Sequence, residues 1–582
     1  MNLINKIQVL IFDIINDNDF NKLSNLKPDD ISIELSKSSK HGDLSTNIAM
    51  VLAKKLKTKP KDVALNLQKQ IEKTEYVNHV EIAGPGFINI FISIEAWHNQ
   101  LSEIINAGED WGKSKIGNSK LVNVEYVSAN PTGPLHVGHV RGAVLGDVIA
   151  NILEFVGFKV TKEYYVNDAG IQIKNLSKSL YKRYNELFGI NNQEEFKDFY
   201  PGSYLIEIAK EIKNKDNSEW LNLPESDWID YFSNYAISKI MQIIKNDLAL
   251  LNIKHDYFFF ESSLHEKFKI DKVLKKLINL NLIYEGVIPP PKNSKFSNEK
   301  PEKQLLFRSE KFGDDIDRPL KKNDNSFTYF AADMAYHYDK IDRGYNELIN
   351  IWGADHAGYI KRVKSAVSAL SENKINLDVK ICNLIKLSKD GKPFKMSKRS
   401  GNFVTLNQLV DEVGPDVIRF MMLTQKPETP IEFDLKKAVE MSSDNPVFYV
   451  QYAHARIYSL FRKIKDIDID FDIDADLSFV KLSSKLNDSG EISLIKKISI
   501  WPSIVLTAAS KNEPHKIVYY LQELANLFHS HWNQGSKNTE IRFINLEDKL
   551  LTRSRLLMCY AISIVISNGL RLIGVEPLKE MY

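Results

Sequence analysis

Cysteine is nearly absent: Cys382 and Cys559 are the only two in 582 residues. Two thiols so far apart cannot frame a disulfide-stapled domain, and neither sits in a zinc-ligand spacing, which suits a reducing cytoplasm. Charge of one sign is missing as well. The chain carries 77 lysines and arginines against 75 aspartates and glutamates, a formal net charge of +2. That balance excludes a globally basic coat for nucleic acid and leaves any RNA contact to local patches. No uninterrupted apolar run approaches the roughly 18 residues of a membrane span. The longest, 560–566, reads as a buried helix, so no membrane partner is expected. The first 20 residues are acidic and amphipathic, without the basic region and apolar block of a secretory signal. No internal repeat is detectable.

What the chain does have is the composition of a globular protein, 43% hydrophobic and 26% charged, at a length that needs two to four domains. Residues 1–110 alternate short helical and strand-like stretches. They include the turn Gly84-Pro85-Gly86 and the alternating run 87–92, which predicts a strand. The polar stretch 108–119 reads as a linker. Residues 121–127 are β-branched and predict a strand. A Pro/Gly turn follows, then an apolar helical pattern over 137–155, a stop at Gly157 and a second strand over 158–166. Strand, helix and strand with short connections make a right-handed parallel unit, the start of a Rossmann-like sheet. Residues 170–300 read as a helical insertion, and strand–helix alternation resumes over 305–423. From 434 onward nearly every segment has helical period, apart from an acidic loop over 466–476. The expected architecture is therefore α/β: a small α+β domain over 1–110, a Rossmann-like parallel-sheet domain over 120–433 and an all-α domain over 434–582.

Chemistry concentrates in two segments. The first runs Ser128, Ala129, Asn130, Pro131, Thr132, Gly133, Pro134, Leu135, His136, Val137, Gly138, His139. Two histidines three residues apart share one face of a helix's first turn, where unpaired N–H groups and the dipole favour anions. Gly138, Gly142 and Gly146 recur every four residues and leave one stripe of that helix bare. Either a flat group such as adenine or a neighbouring strand could approach it; a packing helix with two surface histidines is the plainer alternative. The second segment, Lys395, Met396, Ser397, Lys398 and Arg399, is a basic loop between Gly391 and Gly401. Its lysines can reach a polyphosphate as mobile point charges.

The pairing of His136-Val137-Gly138-His139 with Lys395-Met396-Ser397-Lys398-Arg399 resembles the class I aminoacyl-tRNA synthetases, whose ATP motifs read HIGH and KMSKS. Within that class, three longer stretches are similar to the arginyl-tRNA synthetases. They are the extended first motif from Val124-Glu125-Tyr126 onward, the segment Asp314–Arg318 with Thr328–Tyr336, and Asn445–Arg456 at the opening of a helical domain. Gly42–Met50 resembles that family's extra N-terminal domain. The resemblance implies ATP-dependent joining of L-arginine to tRNA(Arg) through an arginyl-adenylate, by a cytoplasmic monomer. ATP is then a co-substrate accompanied by Mg2+, with no protein-bound metal. It further implies that His136, Gly138, His139, Lys395, Met396, Ser397 and Lys398 handle ATP. Many arginyl enzymes lack the second lysine of that loop, and this chain keeps it.

Arginine's guanidinium is a planar fork of donors best held by carboxylates. Glu125 lies near the carboxyl end of a parallel strand, where such sheets bind ligands. Tyr329 and Asp333, four residues apart, can face one pocket if that stretch is helical. The resemblance implies that Tyr329 and Asp333 recognise the side chain, that Glu125 and Asn130 hold the substrate and that Ser128 lines the pocket. Asp355 or His356, at another strand end, is expected near ATP or arginine. Lys54, Lys55 and Lys57 form a basic run that is either a tRNA contact or a solvated helix end. Tyr449, Tyr452 and Trp532 are candidates for stacking on unpaired anticodon bases.

Overall fold

The computed structural model describes residues 3–17, 31–36, 39–191, 198–266, 268–287, 303–322, 324–389, 391–393, 404–442, 445–467, 469–473 and 484–581. The second basic motif, Lys395 to Lys398, lies outside the described residues.

Near the N-terminus, β1 (Glu34–Leu35), β2 (Leu44–Thr46), β3 (Val77–Ala83) and β4 (Phe87–Ile92) form an antiparallel sheet in the order β1-β2-β4-β3. The β3–β4 turn works because Gly84 and Gly86 take φ values of 53° and 143°, conformations a side chain would resist. Ile88, Ile90 and Ile92 of β4 are buried, and the helices Ile48–Leu56 and Pro60–Ile71 pack against the sheet.

The central sheet is parallel. Its strands are β5 (Leu121–Glu125), β6 (Lys159–Val166), β7 (Tyr257–Phe260), β11 (Glu347–Gly353) and β12 (Asn376–Cys382), in the order β12-β11-β5-β6-β7. From β5 the chain builds outward first to β6 and β7, then on the other side to β11 and β12. The reversal point lies between β5 and β11, where open α/β sheets place ligands at the carboxyl ends of the strands. A separate small sheet holds β8 (Ile283–Gly286), β9 (Gln304–Phe307) and β10 (Arg318–Pro319). A third holds β13 (Ile385–Lys389), β14 (Lys392–Pro393) and β15 (Ile431–Asp434).

The segment 170–300 differs from the expectation of a helical insertion. Its helices Ile171–Glu186, Tyr204–Asp216 and Glu225–Leu250 stand together, but Tyr257–Phe260 then returns as an edge strand of the central sheet. The stretch 108–119 is no loose linker either. Its Trp111 is 6% exposed, donates Nε1–H to the Ile498 carbonyl and accepts from Trp501 Nε1 and Asn568 Nδ2. Polar composition concealed one indole anchored to the C-terminal helices.

Two helical stretches, Ser489–Lys511 and Lys549–Leu572, are long and apolar enough to cross a membrane, each with mean hydropathy 1.4, yet 56% and 72% of them is buried inside the protein. The C-terminal helices meet the helix Val137–Phe155 at one charged node. Arg419, fully buried, donates to Asp147 Oδ2 at 2.5 Å, to the Leu251 carbonyl at 2.6 Å and to the Ile573 carbonyl at 2.7 Å. Gly574 has φ 71°, and a Cβ there would strike the guanidinium at 2.3 Å. Burial pushes the Asp147 carboxyl up, but Arg419 and Lys162 outweigh it and hold it below the ordinary value. Breaking a buried pair from one side typically costs about 3–5 kcal/mol. Arg419→Met is therefore expected to lower the urea midpoint of the first unfolding transition, and adding Asp147→Asn should recover part of the loss. A single variant as stable as wild type would contradict this placement of the node.

Candidate functional site

One cleft of about 980 Å³ opens at the carboxyl ends of β5 and β11. Its walls include Glu125, Ser128, Ala129, Asn130, His136, Gly138 and His139 from the first motif. Facing them are Tyr329 and Asp333, and Asp355 with His356. Of the expected site residues, Pro131, Thr132, Gly133, Pro134, Leu135 and Val137 of the first motif and the RNA candidates are not among its walls, and the basic loop lies outside the described residues. Among the described residues no group of three or more His, Cys, Asp and Glu side chains is placed to hold a metal ion.

The floor is a buried charge network. Asn350, Glu125 and Glu163 are in register on three neighbouring parallel strands, so their side chains emerge side by side. Glu125 accepts from Lys340 Nζ at 2.7 Å, Tyr336 OH at 3.0 Å and Ser128 Oγ at 3.2 Å. Glu163 takes both terminal nitrogens of Arg343, at 2.7 and 2.9 Å, together with Tyr336 OH at 2.8 Å and Asn123 Nδ2 at 2.7 Å. Burial raises the Glu163 carboxyl, but Lys340, Arg343 and Tyr336 more than offset it. All of these cationic and phenolic partners come from the helix Tyr329–Asp342 or its C-cap. His337 extends the network: its Nδ1 lies 2.8 Å from the Asp333 carbonyl and its Nε2 3.0 Å from Asn350 Nδ2. That pattern assigns the proton to Nδ1, and burial holds the ring neutral with a pKa of about 4.

Glu125 thus lines the cleft with its charge already matched by Lys340. Asp333 is different. Tyr359 donates to its Oδ2 at 2.5 Å, and burial pushes its carboxyl up to about 7, with Glu261 and Glu125 adding to the rise against Tyr359 and Arg362. Tyr329, one turn earlier, is 77% exposed at the cleft edge. Thr328 starts this helix by accepting from Ala331 N with its hydroxyl at 3.3 Å.

The turn after β5 is strained. Val127 and Ser128 take φ values of 67° and 40°, uncommon for any side chain and worst for a β-branched one. Ser128 Oγ accepts from Tyr165 N at 3.0 Å while donating to Glu125, and Tyr164 OH donates to the Ala129 carbonyl at 2.8 Å. These bonds fix the loop's course. Asn130 is exposed and donates Nδ2–H to Gln172 at 2.8 Å.

His136 and His139 form the N-terminal cap of the helix Val137–Phe155. His136 Nδ1 accepts from Gly138 N at 3.1 Å, and His139 Nδ1 accepts from His136 N at 3.2 Å. Their rings lie 3.9 Å apart. With Nδ1 accepting on both, a neutral ring carries its proton on Nε2, a donor suited to an anion. The glycine stripe divides: Gly138 and Gly142 line the cleft, while at Gly146 the Tyr126 ring fills the space, 2.3 Å from where a Cβ would stand. The stripe is open to the cleft at its first two glycines and filled by core packing at the third. Leu406 N donates to the Leu135 carbonyl at 2.9 Å and Val137 N to the Val404 carbonyl at 3.1 Å. The chain leaving the second motif is thereby tied to the first.

Asp355 and His356 sit on the short 3-10 turn after β11, their charged atoms 3.5 Å apart and both well exposed. Lys54 and Lys55 occupy the last turn of the helix Ile48–Leu56 and Lys57 is its left-handed cap, positions where cations suit the helix dipole. Tyr449, Tyr452 and Trp532 come together, far along the chain from the cleft residues. Arg456 lies over the rings of Tyr452 and Trp532 at 4.3 and 5.1 Å, and His529 packs on Tyr449 at 4.4 Å.

Sequence reasoning missed Tyr336, Lys340, Glu163, Glu261 and Tyr359. The spacing of Asp333, Tyr336 and Lys340 marks one helical face and was a usable signal; a charge in the aromatic run Glu163-Tyr164-Tyr165 was another. Lys340→Met should destabilise by about 3–5 kcal/mol, because it leaves Glu125 buried without its cation. Adding Glu125→Gln should restore a measurable share. Denaturant melts of the double-mutant cycle test this, and additive losses would show that the pair is uncoupled.

Residues 100–457 match the family model described as tRNA synthetases class I (R), catalytic domain; residues 5–92 match the arginyl tRNA synthetase N terminal domain, and 450–581 the DALR anticodon binding domain. An arginine–tRNA ligase of a Ruegeria species is 48% identical over 552 residues, covering 95% of this chain and 94% of its own length. One from Roseobacter denitrificans is 46% identical over 563 residues, covering 96% of each. The solved arginyl-tRNA synthetase of Thermus thermophilus shares the fold over 100% of both chains, with a TM-score of 0.73 at 19% identity. The chain belongs to the arginyl-tRNA synthetase family of class I tRNA synthetases.

Proposed function

We propose that this chain joins L-arginine to tRNA(Arg) in two steps within the β5–β11 cleft, working as a cytoplasmic monomer. The arginine carboxylate attacks the α-phosphate of ATP, pyrophosphate leaves, and a ribose hydroxyl at the tRNA 3′ end then displaces AMP from the arginyl-adenylate. One observation carries the reading: the same cleft is lined by a helix N-terminus with two imidazoles and by a raised carboxyl, Asp333. The first suits phosphate, the second a cationic side chain.

In this reading the Nε2–H groups of His136 and His139 donate to phosphate oxygens as charge grows there. Preorganised donors of that kind cost no reorganisation at the moment of reaction. Lys395 and Lys398 hold the β- and γ-phosphates, with Mg2+ arriving on ATP. Asp333 and Tyr329 take the guanidinium, while Glu125, neutralised by Lys340, with Ser128 and Asn130 shapes the rest of the arginine site. Asp355 and His356 border the nucleotide. Tyr449, Tyr452 and Trp532, grouped around Arg456, face anticodon bases.

A screen of amino acids for charging of total tRNA should yield arginine alone; charging with another amino acid would refute the assignment. His139→Asn separates capping from catalysis, since its amide oxygen can still accept from His136 N. Loss of one transition-state donor typically costs 10²–10³ in rate. A drop of about that size in pyrophosphate exchange, without a fall in melting temperature, is the expected result. An unimpaired variant would leave His139 a cap and nothing more.

The raised carboxyl of Asp333 also predicts a pH dependence. Below about 7 it is protonated and loses the charge that holds a cation, so kcat/KM for arginine should rise with pH and level off above that value. Below it the slope should approach about tenfold per pH unit. Asp333→Asn should flatten the profile and lower kcat/KM by about one to two decades, as loss of a charge-assisted hydrogen bond does. Citrulline, which lacks the cationic fork, should be discriminated against less by the variant. An unchanged profile would place Asp333 outside the arginine contact.

A further inference from the structure

The helices between β6 and β7 carry no motif, yet they hold the loop of the first motif at three points. Gln172 Oε1 accepts from Asn130 Nδ2 at 2.8 Å. Tyr204 OH donates to the Thr132 carbonyl at 2.5 Å, and Asp247 Oδ2 accepts from Leu135 N at 3.0 Å. Tyr204 opens the helix Tyr204–Asp216, and Asp247 lies near the end of the helix Glu225–Leu250. Asp247 is 6% exposed. The ring of Tyr204 explains Gly133, where a Cβ would come within 3.0 Å of its hydroxyl oxygen.

Leu135 is therefore held from both sides: its N–H by Asp247 and its carbonyl by Leu406 N, at the start of the helix Leu406–Val413 that follows the second motif. The next residue is His136, whose imidazole caps the helix by accepting from Gly138 N at Nδ1. Any shift of Leu135 is passed to His136 directly, because one residue has only two soft torsions to absorb it. Misplacing a reacting group by about 1 Å can cost on the order of 10²-fold in rate.

We propose that Tyr204 and Asp247 are positioning residues for adenylate formation, fixing Thr132 and Leu135 so that His136 meets phosphate in register. This rests on the reading of His136 and His139 as phosphate-contacting groups. Neither Tyr204 nor Asp247 touches the reacting atoms; they act through the loop backbone. The segment 170–250 is thereby part of the nucleotide site's frame.

The test uses the full chain with tRNA present and measures pyrophosphate exchange, KM for ATP and arginine, and melting temperature. Tyr204→Phe removes only a hydroxyl and should lower kcat by about 2–10-fold, the worth of one net hydrogen bond. Asp247→Ala should lose more, about 10- to 100-fold. Asp247→Asn keeps an oxygen for Leu135 N and should recover most of that loss. KM for arginine should stay put in all three. Tyr231→Phe, which removes a similar hydroxyl bonded to Asp216 on the same helical segment, should leave kcat unchanged. If Asp247→Ala does not fold, Tyr204→Phe and Asp247→Asn carry the test. Wild-type kcat in Tyr204→Phe, or an equal fall in Tyr231→Phe, would overturn the proposal. A wild-type chain that exchanges no pyrophosphate with arginine would overturn the underlying function instead.

Discussion

Two carboxylates stand side by side in the interior of this protein, and much of the architecture answers that fact. Glu125 and Glu163 are in register on adjacent parallel strands, the second fully buried. Neither charge could remain there unpaired, since desolvation would cost several kcal/mol for each. Lys340, Arg343 and Tyr336 meet them, all within two turns of one helix end. The helix Tyr329–Asp342 therefore has one acceptable rotation and one acceptable height over the sheet. Its other turn, carrying Tyr329 and Asp333, falls at the cleft mouth as a consequence. A network that reads as structural thus sets the position of the residues that would meet a cationic substrate.

The same logic connects the domains. The helix Val137–Phe155 is hydrophobic nearly all round and buried along its length, so it cannot slide without breaking a core. Three of its polar residues are the attachment points: Asp147 to Arg419 and through it to Ile573, Asn151 to the Leu572 carbonyl, and Arg141 to the carbonyls of Asn383, Lys426 and Thr429. Each reaches an element far away in sequence. The helical C-terminal domain and the β12–β13 turn are thereby referenced to the rod whose first turn carries His136 and His139.

The parts legible in the sequence are those in which local pattern and tertiary role coincide. The run expected as a strand over 121–127 forms β5 as far as Glu125, with both faces covered, and then turns at Val127; Gly157 stops its helix because the chain there has φ 92°. The cleft residues His136 and His139 were legible through motif spacing, and Glu125 and Asp333 through the resemblance of their segments to the arginyl-tRNA synthetases. The illegible parts are those in which tertiary context overrides composition. Tyr257–Phe260 is four aromatics between helices, and only its pairing with β6 makes it a strand of the central sheet. Lys340 is a lysine within a helix, which from sequence alone belongs in water. Trp111 lies in a polar stretch and is buried because the C-terminal helices close over it.

Electrostatics then separates two parts of the cleft. A helix N-terminus favours anions through its aligned N–H groups, but the first turn here keeps two of those groups occupied with His136 and His139 Nδ1. The capping relocates the donor capacity from the backbone to Nε2 of each ring, further out and in a fixed orientation. Elsewhere in the cleft, Glu125 has its cation in Lys340, while burial and the neighbouring Glu261 and Glu125 push the Asp333 carboxyl up to about 7. A guanidinium brought to Asp333 opposes that rise, and a phosphate brought to the imidazoles meets donors already aligned. The imidazoles and Asp333 therefore prefer opposite charges within one cleft.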